Sequence, residues 1–193
     1  MRHGLAPGTY DGKKGAAAKK VENQTLHWSI LSCGDWRLCL AAGDGGLMYV
    51  GAADGSLAEL EKWAARHLPG WKLVRHDGRL ADAAAQIEAY LQGKRHNITC
   101  PLDMRGTPFQ RTVWNALLTI PHGQTRTYAD IAVTIGKPSA VRAVGAAIGA
   151  NPLLIAVPCH RVVGKNGALT GYRGGLAMKK RLLELERQEI FAR

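Results

Sequence analysis

Ile155-Ala156-Val157-Pro158-Cys159-His160-Arg161-Val162-Val163 sets a cysteine beside a histidine, after a proline and within an apolar stretch that starts at Leu153. Thiolate is the nucleophilic form of cysteine, and a neighbouring imidazole or positive field raises its population near neutral pH. His160 and Arg161 are the expected sources of both. A lone Cys-His pair also reads as a buried, inert cysteine, because free cysteine is among the most buried residue types. The surroundings of the pair therefore decide its meaning.

Upstream, the pattern is helical from Thr107. Thr107 is an expected N-cap with Pro108 at the first helical position. Phe109, Val113, Trp114 and Leu117 form one apolar face, and Pro121 ends the helix. Thr127 caps a short helix that begins at Tyr128 and runs through Ile135 to Gly136. After the Lys137-Pro138 turn, Ser139 is expected to cap a second helix from Ala140 to about Ala150, ended by Asn151-Pro152. Two short helices around a glycine-containing turn make a helix-turn-helix pattern, which is weak evidence for DNA binding by itself.

The second helix carries Ala140, Ala143, Val144, Gly145, Ala146, Ala147 and Gly149, with Arg142 as its only charge. Helices that read the major groove usually present several long polar side chains. Small residues instead permit close backbone approach, which suits the narrower minor groove. Composition alone fits a core helix equally well. Tyr128 is open to a similar double reading, as packing at a helix start or as a functional hydroxyl. Asn151, between this helix and the cysteine segment, is expected to brace the turn through backbone hydrogen bonds.

Downstream, a glycine-rich segment precedes a C-terminal helix from about Leu176 to Ile190. On a helical wheel Glu186 falls between Leu182 and Leu183, so it points toward the core with the apolar stripe. A carboxylate there needs a partner. His160 is the expected one; a nearby arginine is the alternative.

The N-terminal half reads differently. Leu26–Ile30, Trp36–Leu40 and Leu47–Val50 alternate as antiparallel strands, with a turn at Asp44-Gly45-Gly46. Leu57–His67 and Ala81–Leu91 read as helices, and Trp71–Val74 as a further strand. The expected organisation is a disordered basic tail over 1–20, an N-terminal α/β domain over 21–97, a linker over 98–106 and a C-terminal domain over 107–193.

The net charge of +11 is uneven: residues 107–193 contribute +8, 21–106 contribute −1 and 1–20 contribute +4. A basic half joined to a neutral half points to a polyanion partner for one half only. No apolar run approaches the roughly 18 residues of a membrane span, and the N-terminus lacks the apolar stretch of a secretion signal. Cys33, Cys39, Cys100 and Cys159 show no disulfide-scaffold or Cys-x-x-Cys spacing. A reducing, intracellular setting is expected.

From about Asp103 to Glu186 the chain resembles the O6-alkylguanine-DNA alkyltransferases, also called methylated-DNA–protein-cysteine methyltransferases. The likeness rests on Ile155–Val163, Arg105–Gln110, Val113-Trp114, Ile120-Pro121, Gly123, Tyr128, Ala143-Val144-Gly145, Asn151-Pro152 and Gly171-Tyr172. Before Asp103 it is loose. The resemblance implies an α/β (α+β) protein: a small ribonuclease-H-like sheet domain, then a mostly helical domain with the helix-turn-helix. It implies DNA repair by direct reversal, in which a monomer binds duplex DNA through the minor groove and flips out the damaged base. The alkyl group of O6-alkylguanine, or of O4-alkylthymine, then moves irreversibly to Cys159, once per molecule, without cofactor. Cytoplasmic placement, on the nucleoid in a bacterium, goes with that role.

The same resemblance assigns roles residue by residue. Arg142 fills the place of the extruded base, being long and flat enough for it. Ser139, Ala140, Ala143, Gly145 and Ala147 join it and Tyr128 at the DNA. Tyr128 also donates to guanine N3, which makes guanine a better leaving group. Glu186, His160, a bridging water and Cys159 form a proton relay, with Asn151 supporting it. Val162, Tyr172, Arg173 and Met178 border the substrate pocket, chiefly through backbone groups at Val162 and Arg173. Relatives often carry a small polar residue at the position of Arg173. Some relatives bind zinc in the N-terminal domain, but Cys33 and Cys39 do not match such ligands and no metal is assigned.

Two other classes remain open at this level. One is a non-catalytic damage-binding module of the same fold, which would lack the cysteine. The other is a thiol hydrolase built on Cys159, His160 and Glu186, which would have no need of the helix pair.

Overall fold

The computed structural model describes residues 24–191, with side chains through 187. The expected tail over 1–20 lies outside the described residues. Strands β1 (Thr25–Cys33), β2 (Trp36–Gly43), β3 (Gly46–Val50) and β4 (Lys72–Arg75) form one sheet in the order β3-β2-β1-β4. The first three strands are antiparallel, as the glycine-punctuated alternation predicts. β4 runs parallel to β1, because helix α1 (Leu57–His67) crosses over from β3 to reach it. Ser56 caps α1 through the amide of Glu59 at 3.3 Å.

Central β2 is covered on both faces, so it shows a nearly continuous apolar run. On one face Cys39 and Ala41 pack with Leu26, Met48, Leu60 and Ala64 beneath α1. On the other, Leu38, Leu40 and Ala42 meet Leu80, Ile87 and Tyr90 of the segment leading into and through α2 (Ala81–Leu91). This second cluster continues into the C-terminal half, through Val113, Trp114, Leu153 and Leu154.

β3 is an edge strand whose outer side is occupied. Leu47 N–H donates to the Pro101 carbonyl and Asp103 N–H to the Leu47 carbonyl, both at 2.8 Å. Further along, Val50 N–H donates to the Pro152 carbonyl at 2.9 Å and Leu154 N–H to the Val50 carbonyl at 3.4 Å. The extended 98–106 segment and the segment entering the cysteine thus share one strand. Gly46, at φ +125°, has no room for a side chain beside Pro101.

The C-terminal half contains α3 (Pro108–Leu118), α4 (Tyr128–Thr134), α5 (Val141–Gly149) and the long α6 (Gly175–Phe191). Two short strands, β5 (Arg126–Thr127) and β6 (Val162–Val163), pair in parallel. They tie the start of α4 to the residues just after the cysteine turn. No helix among the described residues is long and apolar enough to cross a membrane.

Candidate active site and nucleic-acid surface

Two capping boxes set the starts of α3 and α4. Thr107 and Gln110 exchange side-chain and backbone hydrogen bonds at the start of α3, and Thr127 and Asp130 do the same for α4. Such reciprocal caps satisfy amides that the first turn leaves unpaired. α5 begins differently. Ser139 is exposed and caps nothing; Ala140 is the N-cap residue, without a side-chain bond. The Ala140 amide instead closes a tight turn onto the Lys137 carbonyl at 2.9 Å, which shifts the helix start past the serine.

α5 has two faces. Val144, Ala147 and Ile148 are buried, whereas Arg142, Ala143, Ala146 and Gly149 are exposed. Ala147 was expected at the DNA surface, but its side chain is in the core and its carbonyl accepts the Trp114 indole N–H at 2.8 Å. Gly145 lies against the ring of Tyr128. The exposed face keeps Arg142 as its single charge.

Beside that face lies a crevice of about 570 Å³, bordered by Tyr128, Arg142, Gly145, Thr170, Tyr172 and Arg173. Its size is in the range of small-molecule sites, roughly 300–1,000 Å³. Thr170 donates to the Tyr128 hydroxyl across it at 3.1 Å. Two residues expected at the pocket do not border it. Val162 is fully buried, its amide bonded to the Cys159 carbonyl and its own carbonyl to Lys179. Met178 packs in the core against Gly174, where any side chain would collide with its sulfur.

Cys159 opens a short 3-10 turn, Cys159–Arg161, and is almost wholly buried. Asn151, also buried, sits at the centre of its support. The Asn151 side-chain amide donates to Cys159 Sγ at 3.0 Å and to the Val157 carbonyl at 3.1 Å, while its Oδ1 accepts from Leu153 N–H at 2.9 Å. Burial pushes the Cys159 thiol above its ordinary pKa; the Asn151 amide and the charges of Arg173 and Lys179 oppose that. The resting group is therefore a thiol. Arg161, expected to favour the thiolate, is turned away toward Glu186 and the Ile120 carbonyl.

Glu186, on α6, is completely buried and meets four donors. Oε1 accepts from His160 Nε2 at 2.8 Å, from the Tyr90 hydroxyl at 2.5 Å and from Arg161 Nε at 3.0 Å. Oε2 accepts from the Gly123 amide at 2.7 Å. The histidine and arginine readings of its partner are thus both realised. Burial raises the Glu186 pKa, but the hydrogen bonds and charges of His160 and Arg161, with the Tyr90 hydroxyl, outweigh it and hold it near 2. His160 moves the other way: burial lowers its pKa more than Glu186 raises it. Nδ1 of His160 and the Tyr172 hydroxyl are buried without a hydrogen-bond partner among the described residues.

Three contributions to this centre escaped sequence reading. Lys179 is fully buried on α6, donating to the carbonyls of Val162 at 2.5 Å and Thr170 at 2.8 Å. It lies seven residues before Glu186, on the same stripe, which is the signal that would have found it. Tyr90 reaches in from the N-terminal half. Arg173 does not reach for a base with its side chain. It binds the carbonyls of Asn151 at 3.0 Å, Val50 at 2.6 Å and Pro152 at 3.1 Å, and stacks over Tyr49 at 4.9 Å. Among the described residues no group of three or more His, Cys, Asp or Glu side chains is placed to hold a metal.

Comparison with known proteins places this arrangement. Residues 26–104 match the ribonuclease-like domain of 6-O-methylguanine DNA methyltransferase, and residues 108–188 match its DNA binding domain. The inducible methylated-DNA–protein-cysteine methyltransferase of Bacillus subtilis is 56% identical over 169 residues, covering 88% of this chain and 94% of that protein. A methylated-DNA–protein-cysteine methyltransferase of Methanosarcina acetivorans is 41% identical, covering 83% and 98%. The crystal structure of Mycobacterium tuberculosis O6-methylguanine methyltransferase superimposes with a TM-score of 0.73 at 40% identity, covering 86% of this chain and 94% of that one. The M. tuberculosis protein in complex with DNA gives 0.70 at 41% identity, covering 84% and 94%. With both domain matches in sequence order and relatives aligned over most of its length, the chain belongs to the 6-O-methylguanine DNA methyltransferase family.

Proposed function

We propose that this protein repairs duplex DNA by moving the alkyl group of O6-alkylguanine, and of O4-alkylthymine, onto Cys159, once per molecule and without cofactor. The observation that carries the reading is a buried cysteine braced by Asn151, followed directly by a His160–Glu186 pair and set beside a helix face of small residues. The exposed side of α5 admits close approach to a minor groove, with Ala140, Ala143 and Gly145 at the backbone and Arg142 filling the stack after the base is flipped. The 21–97 and 107–193 domains, joined by the 98–106 linker after a dispensable 1–20 tail, act as a monomer on the nucleoid or in the cytoplasm.

In the transfer, Cys159 sulfur attacks the alkyl carbon and the bond from that carbon to O6 breaks. The thiol proton passes to His160 Nδ1 through a water that would also satisfy the Tyr172 hydroxyl. Guanine leaves with a proton taken at N3 from Tyr128, which solvent restores. His160, once charged, is held by Glu186. Since the thiol is neutral at rest, this deprotonation belongs to the reaction. The thioether has no route back to thiol.

A thiol hydrolase would use the same three side chains but has no use for the α4–α5 pair. Mass spectrometry after incubation with O6-methylguanine duplex tests the assignment. A single added methyl on the peptide holding Cys159 is expected. Modification at Cys33, Cys39 or Cys100, or turnover of a generic ester without any added mass, would overturn it.

A further inference from the structure

The Glu186 carboxylate is saturated by groups from separate parts of the chain, and one of them is unexpected. Tyr90 sits on α2, in the N-terminal half, and is almost fully buried. Its hydroxyl oxygen lies 2.5 Å from Glu186 Oε1 and 3.2 Å from His160 Nε2. A phenol has a single proton to donate. The short contact assigns it to the carboxylate, as a charge-assisted bond. The phenol oxygen then turns a lone pair toward His160. Nε2 thus faces two acceptors, Tyr90 oxygen at 3.2 Å and Glu186 Oε1 at 2.8 Å. A ring nitrogen in that position must carry the hydrogen. In the neutral imidazole the other nitrogen, Nδ1, is then the base.

We propose that Tyr90 is a positioning residue for alkyl transfer, through which the N-terminal domain fixes the proton of His160 on Nε2 and leaves Nδ1 to receive the proton of Cys159. The inference rests on the proposed relay and extends it across the domain boundary. The groups that bear on His160 are few. Glu186 and Lys179 face it from α6, Arg161 from its own turn, Tyr172 from the loop before α6 and Tyr90 from α2. His122 lies beyond Tyr90, with ring centroids 6.0 Å apart. Among the described residues only Tyr90 both donates to Glu186 and presents a lone pair to Nε2. Burial, then the charge of Glu186, hold its phenol protonated far past neutral pH, so it does not become a competing anion.

The direction of its influence follows. Each donor to Glu186 withdraws part of the negative charge that His160 feels. Removing the Tyr90 hydroxyl takes away a lone pair 3.2 Å from Nε2, which lowers the His160 pKa, but it also leaves Oε1 a stronger acceptor; the shorter, charge-assisted contact at 2.5 Å outweighs the longer one, so the His160 pKa rises.

The test is Tyr90→Phe in the full chain, read by nitrogen-15 NMR of the His160 ring in the unreacted protein and by the pH dependence of the single-turnover rate on O6-methylguanine duplex. The expected result is a His160 pKa higher by roughly half a unit to one unit, with the acid limb of the rate moving up by the same amount. In a Glu186→Gln background the further change to Phe should no longer raise the His160 pKa, because the carboxylate transmits the rise. Unchanged His160 titration and a superimposable rate profile would overturn the proposal. So would a fall in rate that is uniform across pH. If Tyr90→Phe does not fold, site-specific 3-fluorotyrosine at position 90, a stronger donor, must move the His160 pKa down; no shift or an upward shift again overturns it. Full transfer rates in Glu186→Gln would remove the relay itself, whereas loss there with an inert Tyr90→Phe would remove only the role of Tyr90.

Discussion

The side-chain amide of Asn151 donates to the sulfur of Cys159 at 3.0 Å, so the residue just past the end of α5 also touches the sulfur of the cysteine turn. The same amide and its Oδ1 hold Val157 and Leu153, which makes one buried side chain the keystone of the turn. Asn151→Ala leaves the buried Leu153 N–H without its acceptor, at about 1–3 kcal/mol, while the Val157 carbonyl keeps the Cys159 N–H at 2.7 Å. For a chain of this size each kcal/mol lowers the melting temperature by roughly 2–4 °C. Thermal melts should show a drop of about 5–10 °C, and alkyl transfer should slow even well below the melt.

Cys159→Ala should abolish transfer and keep affinity for alkylated duplex, since only the sulfur must become covalent. Gel shifts should show retained binding, and mass spectra no adduct. An adduct on the alanine variant would contradict the assignment.

Arg142 is exposed on a helix face otherwise made of small residues. Flipping a base costs a few kcal/mol of unstacking and unpairing, part of which Arg142 would offset in its proposed role of filling the gap. Arg142→Ala should therefore slow repair of base-paired lesions far more than reaction with a free alkylguanine base. Equal losses on both substrates would contradict the role. Affinity for duplex should also fall steeply with salt, as phosphate contacts release counterions.

Acid should destabilise the fold in two steps of the same sign. His160 is held below its ordinary pKa, so beneath about pH 6.5 the unfolded chain binds a proton that the folded one does not. Glu186 is held near 2, so its stabilisation is complete above the unfolded value of about 4.3 and is lost as pH falls toward 2. Melting temperature should decline from pH 7 downward, and Glu186→Gln should flatten the lower part of that decline. A profile unchanged by Glu186→Gln would show that the carboxylate does not drive it.

Some of this was legible along the chain and some was not, for physical reasons. Thr107, Thr127 and the Cys-His pair announce themselves because caps and neighbours are local. Glu186 was legible because a helical wheel converts spacing into direction. Ser139 misled because the tight turn from Lys137 to Ala140 moves the N-cap one residue on, to Ala140. Ala147 and Met178 misled because small and apolar side chains look alike in core and groove. Arg161 was placed beside Cys159 by adjacency, yet successive residues of a tight turn point apart. Tyr90 was invisible as a site residue, and Arg173 was legible at the pocket but not as a brace, because their partners lie far off in sequence, 96 residues for Tyr90–Glu186 and 123 for Arg173–Val50.

Alkylation should lower stability. The product is a larger, neutral thioether in a packed site, and overpacking typically costs about 1–3 kcal/mol. The Asn151–sulfur bond weakens as well. Because the resting group is a thiol, little ion-pair energy is lost, and the steric term dominates. Melts before and after stoichiometric methylation should differ by several degrees; an unchanged or raised value would show that the site accommodates the product.

The outer side of β3 gives that loss of stability a direction. Val50 is paired there with Pro152 and Leu154, a few residues from both Asn151 and Cys159. If the spent site loosens, this is the backbone that comes free, and it is the row of N–H and C=O groups at which sheets recruit other chains. A used molecule would then carry a visible mark of its own expenditure, an adhesive sheet margin that the fresh molecule keeps covered. Its disposal, by proteolysis or by self-association, would need no separate signal.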